Sequence, residues 1–259
     1  MKIELLITTM NATDFSLCNS MNIQTDALIC NQTNSTSLKE IEFSGGRVRL
    51  LSTETKGKSI NQNIGIFYSD ADVIIFADDD VVFVDNYERI VQNFFRLFPD
   101  ADVVKFYCES TNTNRPLAYL RPKDNVRASR KNLMSAGTPC LAVKKSFLDK
   151  NSILFDIGIG PGTIMGCGED SLFINDLFKK KATIYLSTEL IATVNQENSS
   201  WFCDYNDAYF ANIGYVYKHL YGLLAPFFML RRSFILHKTK VKNKSILQMF
   251  LLMKAGMRI

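Results

Sequence analysis

Short apolar runs alternate with amphipathic segments along the first 110 residues of the chain. Strands that are covered on both faces of a sheet read as near-continuous apolar runs. Five such runs are predicted to be strands: IELLITT (3–9), ALIC (27–30), VRLLS (48–52), VIIFA (73–77) and VVKFY (103–107). Two intervening segments are predicted to be helices: GKSINQNIGIFYS (57–69) and DNYERIVQNFFRLFP (85–99). This alternation predicts an α/β fold with a mostly parallel sheet flanked by helices.

The pattern continues less regularly beyond residue 110. A polar, basic loop region is predicted over 111–135, followed by a strand and a helix in GTPCLAVKKSFL (137–148). The glycine-rich segment FDIGIGPGTIMGCGED (155–170) leads into a predicted helix, SLFINDLFKKK (171–181). Two further strands are predicted at ATIYLS (182–187) and LIATV (190–194).

The distribution of charge divides the chain into two parts. Residues 208–259 contain nine of the 30 Lys and Arg residues and none of the 26 Asp and Glu residues, although the whole chain carries a formal charge of only +4. A split of this kind is typical of a segment that meets an anionic surface. We therefore predict one domain over 1–207, followed by a basic, amphipathic helical appendage over 208–259.

Composition and cysteine usage indicate a globular cytoplasmic protein. The chain is 47% hydrophobic and 22% charged, which is typical of a folded domain rather than a disordered segment. Its six cysteines are scattered without a C-x-x-C pair, and MKIELLITTMN at the start reads as a first strand rather than a signal peptide. Reduced cysteines are therefore expected.

Three consecutive aspartates follow the predicted strand VIIFA: Asp78, Asp79 and Asp80. Ligands in open α/β sheets bind at the carboxyl ends of the strands. If the backbone stays extended, Asp78 and Asp80 share one face, where two carboxylates suit Mg²⁺ or Mn²⁺ bound together with substrate phosphates. The alternative is a solvated turn, which aspartate also favours. The apolar runs on both sides of the triplet argue against free solvation.

A second acidic pair, Glu169 and Asp170, follows glycines and opens a predicted helix in GCGED. Acids at this position also stabilise a helix N-terminus without any catalytic role. The adjacent glycines, however, allow a substrate to approach closely, and a carboxylate beside them could accept a proton from a substrate hydroxyl.

The order and spacing of the two acidic motifs resemble the GT-A fold of the inverting glycosyltransferases of family 2. The resemblance covers residues 1–210 and rests on LITTMN, GKSINQNIGIFYSDADVIIFADDDV and GCGEDSLF. In addition, NQENSSWFCDYNDAYFANIG is similar to a segment of bacterial polysaccharide-building members. The resemblance implies a Rossmann-like GT-A domain that transfers a sugar from a nucleotide donor, most simply a UDP-sugar, with inversion at the anomeric carbon.

The resemblance also implies roles for particular residues. Asp170 would be the catalytic base and Glu169 would orient the acceptor, while Asp80, with Asp78, would hold Mn²⁺ or Mg²⁺. Trp201 and Gly168 would contact the acceptor, although Trp201 also reads as a core aromatic. The donor would be bound by a larger set: Thr8, Thr9, Asn11, Gln32, Lys58, Asn61, Asp78 and Asp79.

Three positions depart from the family pattern. Asn31 or Gln32 replaces an aspartate that commonly reads the uracil, and Gln62 replaces a common arginine. Asn195 or Gln196 stands where a histidine often adds a metal ligand.

The appendage mixes apolar and basic residues without a run long enough to cross a bilayer. Its longest uncharged apolar run, 220–230, has 11 residues, whereas a span needs about 20. We predict peripheral binding to the anionic inner face of the cell membrane. A terminal helix docked on the domain is the alternative. No nucleic-acid motif accompanies the charge, so no nucleic-acid partner is expected. Membrane binding suits a lipid-linked acceptor, as in capsule, O-antigen or lipopolysaccharide synthesis, although a free saccharide is also possible.

Two other functions compete with glycosyl transfer. A nucleotidyltransferase would carry a glycine-rich loop with a basic residue after the first strand, and residues 8–20 contain neither glycine nor Lys or Arg. A non-catalytic, sugar- or membrane-binding relic would not need intact aspartate and Glu-Asp motifs.

Overall fold

A ten-stranded sheet forms the centre of the molecule. The computed structural model describes residues 1–112, 121–134, 136–195 and 204–258. The strands are β1 (Ile3–Met10), β2 (Asp26–Gln32), β3 (Ser37–Phe43), β4 (Gly46–Thr53), β5 (Val73–Asp78), β6 (Val81–Phe83), β7 (Val103–Ser110), β8 (Val126–Arg127), β9 (Leu141–Lys144) and β10 (Ile184–Val194). The helices are α1 (Leu17–Ser20), α2 (Lys58–Tyr68), α3 (Tyr87–Leu97), α4 (Arg130–Leu133), α5 (Lys145–Asn151), α6 (Glu169–Lys179), α7 (Asp207–Tyr221), α8 (Ala225–Thr239) and α9 (Ile246–Gly256).

Strand order explains where a ligand can bind. The sheet runs β3-β4-β2-β1-β5-β9-β7-β10-β6, with β8 beside β10. Strands β4, β2, β1 and β5 are mutually parallel, so their carboxyl ends meet at one edge. Registers place Thr8 of β1 between Cys30 of β2 and Asp78 of β5. Polar side chains at the ends of these strands therefore share one edge of the sheet.

The α/β fold predicted from the alternating pattern is confirmed, and its sheet is mixed. Four pairings between the described strands are parallel and five are antiparallel. Strand β9 lies between β5 and β7 and runs opposite to both.

Apolar side chains cover both faces of the sheet. In β1, Leu5 and Ile7 contribute to the core on one face, together with Tyr87 and Phe94 of α3. Leu6, which points to the opposite face, joins the second core. In that core the rings of Phe155 and Phe173 stack at 4.0 Å, and the ring of Phe76 packs edge-on against both. Near-continuous burial accounts for the unbroken apolar runs of the inner strands.

Helices α7, α8 and α9 pack together around a separate apolar cluster. Two glycines allow close approach of α7 and α9: a Cβ on Gly214 would lie 1.8 Å from the carbonyl oxygen of Met253, and one on Gly256 would lie 1.9 Å from that of Ala211. Tyr215 of α7 also packs with Ile159 in the glycine-rich segment. The predicted domain boundary after residue 207 falls at the start of α7. Tyr215, which lies beyond that boundary, shares a small apolar cluster with Ile159 and Leu172. Among the described residues, no helix has the length and apolarity to cross a membrane.

Candidate active site

Threonines at the end of β1 orient the aspartates at the end of β5. The hydroxyl of Thr8 donates to Asp78 Oδ1 at 3.2 Å, and that of Thr9 donates to Asp79 Oδ2 at 2.6 Å. Both threonines are predicted to bind the donor, and in the structure their hydroxyls contact the carboxylates. The pairing of parallel strands β1 and β5 brings these side chains together.

The backbone turns immediately after Asp78. Strand β5 ends there, and Asp79 and Asp80 form a turn before β6. The alternation of an extended strand, which was assumed for Asp78 and Asp80, therefore does not determine where Asp80 lies. The carbonyl oxygen of Asp80 accepts a hydrogen bond from the backbone N–H of Asn195 at 3.1 Å. Asn195, at the end of β10, thus lies beside the triplet.

Lys58 joins the two acidic motifs. Its Nζ lies 2.7 and 3.0 Å from the two oxygens of Asp78 and 3.9 Å from Glu169 Oε1. Burial alone would lower the pKa of Lys58, but the charges of Asp78, Asp170 and Glu169 outweigh it and raise the pKa above its usual value. Residues that are distant in sequence therefore form one charged site around the partly buried ammonium group of Lys58.

The Glu-Asp pair begins α6 in two different environments. Burial, followed by repulsion from Asp170, raises the pKa of Glu169 from 4.5 to about 7, although the charge of Lys58 opposes the shift. Asp170 accepts two hydrogen bonds from Thr138, one from the backbone N–H at 3.1 Å and one from the hydroxyl at 2.7 Å. Thr138 therefore fixes the Asp170 carboxylate in one orientation.

Gly168 precedes this pair in a conformation that requires glycine. Its φ is +115°, and a Cβ there would lie 2.6 Å from Val216 Cγ2 of α7. Its backbone N–H donates to Glu169 Oε2 at 3.0 Å. The predicted acceptor residue Gly168 therefore lies at the site and also permits close packing of α7.

Side chains in the first half of α2 form hydrogen bonds with the backbone of the glycine-rich segment. Ser59 Oγ donates to the carbonyl oxygen of Ile159 at 2.7 Å. Asn63 exchanges two hydrogen bonds with the backbone of Phe155, at 2.9 and 2.7 Å. Gln62, where arginine is common in the resembling family, is buried, and its Oε1 has no hydrogen-bond partner among the described residues. The Ser and Asn of this helix thus position the loop that carries the Glu-Asp pair.

An open cleft of about 330 Å³ lies beside the charged site, at the carboxyl ends of β1, β2 and β4. Most of its lining residues have polar side chains: Met10, Asn11, Gln32, Thr33, Asn34, Glu54, Thr55, Lys56 and Gly162. Two of the predicted donor-binding residues, Asn11 and Gln32, are among them. The cleft is therefore the place where a nucleotide could lie next to the aspartates.

Hydrogen bonds decide between Asn31 and Gln32 as the cleft residue. Asn31 is buried, and its carboxamide bonds the backbone N–H and C=O of Ala12 and the hydroxyl of Ser52. Gln32 lines the cleft and accepts from the backbone N–H of Gly57 at 2.5 Å. Asn61, another predicted donor residue, is buried and accepts from Thr55, so it supports the cleft wall from behind.

Asp80 is the described residue whose carboxylate could share a divalent cation with a bound diphosphate. Among the described residues, no three His, Cys, Asp or Glu side chains are grouped as a preformed metal site. Burial, with repulsion from Asp78 and Asp79, raises the pKa of Asp80 to about 6. The positive charge near Asp80 is therefore too small to offset its burial and its negative neighbours. Mg²⁺ commonly uses one or two carboxylates and completes its shell with phosphates and water. Asp80 meets that requirement, whereas Asp78 is already paired with Lys58.

Sequence reasoning missed the contacts that α7 makes with the site. Asn212 Nδ2 donates to the carbonyl oxygen of Cys167 and lies 3.1 Å from its sulfur. The hydroxyl of Tyr215 donates to Asp156 Oδ2 at 2.8 Å. Thr138, which holds Asp170, was also missed. Trp201 and Gln196, the remaining candidates, lie outside the described residues.

The comparisons with known proteins agree with this geometry. Glycosyl transferase family 2 matches the chain over residues 34–163, which is half of its length, and the chain belongs to that family. No curated protein sequence matches the chain.

Solved structures of S. aureus TarS share the fold. TarS residues 1–349 superpose with a TM-score of 0.64 at 11% identity, over 94% of this chain and 74% of that chain. The complex of TarS 1–349 with UDP-GlcNAc gives a TM-score of 0.65 at 11% identity, with the same coverage. A longer TarS structure gives 0.62 at 12% identity, over 93% of this chain and 44% of that chain. The family and the GT-A fold are therefore confirmed, and the protein is a glycosyltransferase.

Proposed function

We propose that the protein transfers a sugar from a nucleoside diphosphate sugar, with UDP as the nucleotide, to an acceptor hydroxyl with inversion. One observation carries the proposal. Lys58 holds Asp78 and Glu169 at a single site, so that the aspartate triplet, the Glu-Asp pair and the polar cleft adjoin. A donor in the cleft would extend its diphosphate toward the triplet and its sugar toward the Glu-Asp pair. The structures of TarS with UDP and with UDP-GlcNAc support UDP as the nucleotide.

Asp170 is the residue that we assign as the base. Two hydrogen bonds from Thr138 hold its carboxylate in one orientation at the site. As the acceptor oxygen attacks the anomeric carbon, its proton passes to Asp170 and the bond from that carbon to the diphosphate oxygen breaks. Attack from the face opposite the leaving group inverts the configuration.

Glu169 is a poorer candidate for the base. It is buried, and its Oε1 lies 3.9 Å from the ammonium group of Lys58. Its Oε2 also accepts from Gly168 N–H. We assign it to orienting the glycine-rich loop and the acceptor.

Mn²⁺ or Mg²⁺ is the cofactor that we propose, held by Asp80 together with the donor diphosphate. When bound, the cation supplies positive charge that stabilises the departing nucleoside diphosphate. Lys58 contributes a second positive charge at the same edge, through its ion pair with Asp78.

The acceptor that we propose is a lipid-linked saccharide used in bacterial surface-polysaccharide synthesis, such as capsule, O-antigen or lipopolysaccharide. Its support is the acid-free, basic segment 208–259, which suits an enzyme that works at the inner face of the cell membrane.

The test is a panel of nucleotide sugars incubated with the purified full chain and Mn²⁺. We expect release of UDP from a UDP-sugar, and slower or no release of GDP or CMP from GDP- and CMP-linked sugars. Formation of UTP and sugar 1-phosphate from a UDP-sugar when pyrophosphate is added would instead identify a nucleotidyltransferase. A chain that turns over no member of the panel, whether or not it binds one, would be a non-catalytic relic.

A further inference from the structure

The face of α8 that points away from the protein combines exposed apolar and basic side chains. The preceding turn presents Leu223, which is fully exposed. On the helix, Phe227 is 66% exposed and Phe234 is 55% exposed. A large exposed apolar patch on a soluble domain marks a surface that contacts something else.

Helical spacing shows that these residues share one face. The buried residues of α8 recur at intervals of three and four and define its inner face: Ala225, Met229, Ser233 and Leu236. The opposite face carries Phe227, Leu230, Arg231, Phe234 and Lys238. We call this set, with Leu223 and Leu224 of the preceding turn, the α8 surface.

Some basic residues of this region are engaged within the protein, whereas those of the α8 surface face solvent. Lys244 forms an ion pair with Asp207 at 2.6 Å, and Arg232 donates to the hydroxyl of Tyr209. Lys242 donates to backbone carbonyl oxygens at the end of α8. Arg231 and Lys238, in contrast, are exposed beside the apolar side chains.

We propose that the α8 surface docks on an anionic phospholipid bilayer, with α8 lying in the plane of the interface. Phenylalanine and leucine side chains enter the acyl boundary, while the stems of Arg231 and Lys238 carry their charges to the headgroups. A 15-residue helix is about 22 Å long, shorter than the hydrocarbon core of about 30 Å. Docking in the plane is therefore the arrangement that its length allows.

Charge favours a bilayer over a second copy of the chain. A symmetric dimer through the α8 surface would bring together two copies of a segment with nine basic and no acidic residues. Like charges at close range disfavour that contact, whereas anionic headgroups neutralise them.

Point substitutions test the proposal better than a truncation. Removing residues 208–259 would also remove Asn212 and Tyr215, which contact the glycine-rich loop. Phe227→Glu/Phe234→Glu removes the apolar contacts, and Arg231→Gln/Lys238→Gln removes the charges. Phe67→Glu is the matched control, because Phe67 of α2 is 70% exposed and lies outside the α8 surface.

Vesicle flotation measures membrane binding by the chain and its variants, with phosphatidylcholine vesicles that either contain or lack phosphatidylglycerol. We expect the full chain to float with the anionic vesicles and to detach as salt rises. Each neutralised basic residue should weaken partitioning roughly fivefold, so the charge variant should lose about 25-fold. The apolar variant should lose at least about tenfold on the same vesicles. Phe67→Glu should float like the unaltered chain.

Three outcomes would overturn the proposal. The intact chain could fail to float with anionic vesicles, or both double variants could float as well as the control. Light scattering could instead show a dimer that Phe227→Glu/Phe234→Glu dissociates, which would identify self-association as the role of the surface. Circular dichroism on each variant separates loss of binding from loss of fold. Donor turnover plays no part in these readings, so they are independent of the proposed reaction.

Discussion

At the level of single residues, the site contains more carboxylate groups than positively charged groups. Lys58 is one partly buried cation, and Asp78, Glu169 and Asp170 all act on it. Asp80 adds a further carboxylate whose pKa is raised by burial and by its neighbours. An excess of negative charge in a partly buried site is costly unless a cation or a hydrogen-bond donor joins it. This excess is a physical reason for a cation to bind together with the donor.

Asp170→Asn tests the assignment of the base. The asparagine keeps the size of the side chain and can still exchange hydrogen bonds with Thr138, but it cannot accept the proton. We expect turnover to fall by about 10²–10⁴-fold, with the Kd for UDP unchanged.

Steady-state kinetics and calorimetric UDP titration check this result, and Asp176→Asn is the control. Asp176 lies on the same helix and pairs with Lys179 at the surface. Normal turnover by Asp170→Asn, together with an inactive Glu169→Gln, would reverse the assignment of the pair.

Glu169 should make stability depend on pH. Below pH 4.5 the carboxyl is protonated in both the folded and the unfolded chain. Between pH 4.5 and about 7 the unfolded chain loses this proton first, so the free energy of unfolding should fall as pH rises. Above that range the penalty is constant. Glu169→Gln should remove this decline, which amounts to about 3 kcal/mol over the whole range.

Urea unfolding at pH 5, 6, 7 and 8 measures this effect. Glu189→Gln, an exposed substitution on β10, is the matched control and should follow the unaltered chain. Parallel profiles for Glu169→Gln and the unaltered chain would show that burial of Glu169 carries no such cost.

Asp80→Ala tests the proposed cation. We expect Mn²⁺ to tighten UDP binding to the unaltered chain and to have little effect on the variant, because the carboxylate that shares the cation with the diphosphate is gone. Turnover should be lost as well. Calorimetric UDP titrations with Mn²⁺ and with chelator check both points, and full activity of Asp80→Ala in chelator would exclude a metal role.

Among the elements of the fold, helix α7 connects the C-terminal helices α8 and α9 to the glycine-rich segment. It packs on α9 through Gly214 and contacts Cys167 through Asn212. Gly214→Ala would drive a methyl group into the carbonyl oxygen of Met253, so we expect a loss of about 2–4 kcal/mol in the free energy of unfolding.

Thermal and urea unfolding check this change. Gly166→Ala is its control, because a Cβ there meets nothing within 4 Å and the same change in unfolded-chain entropy applies. Equal stability of the two variants would mean that α7 and α9 do not pack closely.

Buried elements could be predicted from the sequence, and elements at the edge of the sheet could not. The inner strands read as apolar runs because both of their faces are covered. Strand β3 (SLKEIEF) is half exposed and lies at the edge, so its mixed sequence resembles a loop. Strand β10 was predicted as two strands because Ser187, Thr188 and Glu189 interrupt the apolar pattern, and the structure has one strand with register shifts there.

The acidic motifs of the site could be predicted from the sequence, whereas the residues that hold these motifs in position could not. Aspartates after a buried strand and acids after glycines are local signals, and both motifs lie at the site. Thr138 and Asn212 act across long stretches of sequence, and nothing near either residue signals its partner. The sequence does not show which face of β2 carries Asn31 and which carries Gln32. In the structure Asn31 forms a buried hydrogen bond with Ser52, which leaves Gln32 to line the cleft.

In the whole molecule, the region proposed for catalysis is acidic, whereas the region proposed for membrane docking is basic. The acidic side chains form a site at the carboxyl edge of the sheet, whereas segment 208–259 holds nine basic residues and no acid. Helix α7 links the two regions through its contacts with Cys167 and Asp156. This arrangement would let the protein hold a negatively charged donor while its basic helices rest on an anionic surface.

We expect the bond from the anomeric carbon to the diphosphate to break with inversion. Proton NMR of donor hydrolysis by the full chain measures this outcome, because the spectrum identifies both the nucleotide and the sugar anomer before mutarotation equilibrates the sugar. From a UDP-α-sugar, the first products should be UDP and the β-anomer. First release of the α-anomer, or of UMP with sugar 1-phosphate, would show that the proposed reaction is wrong.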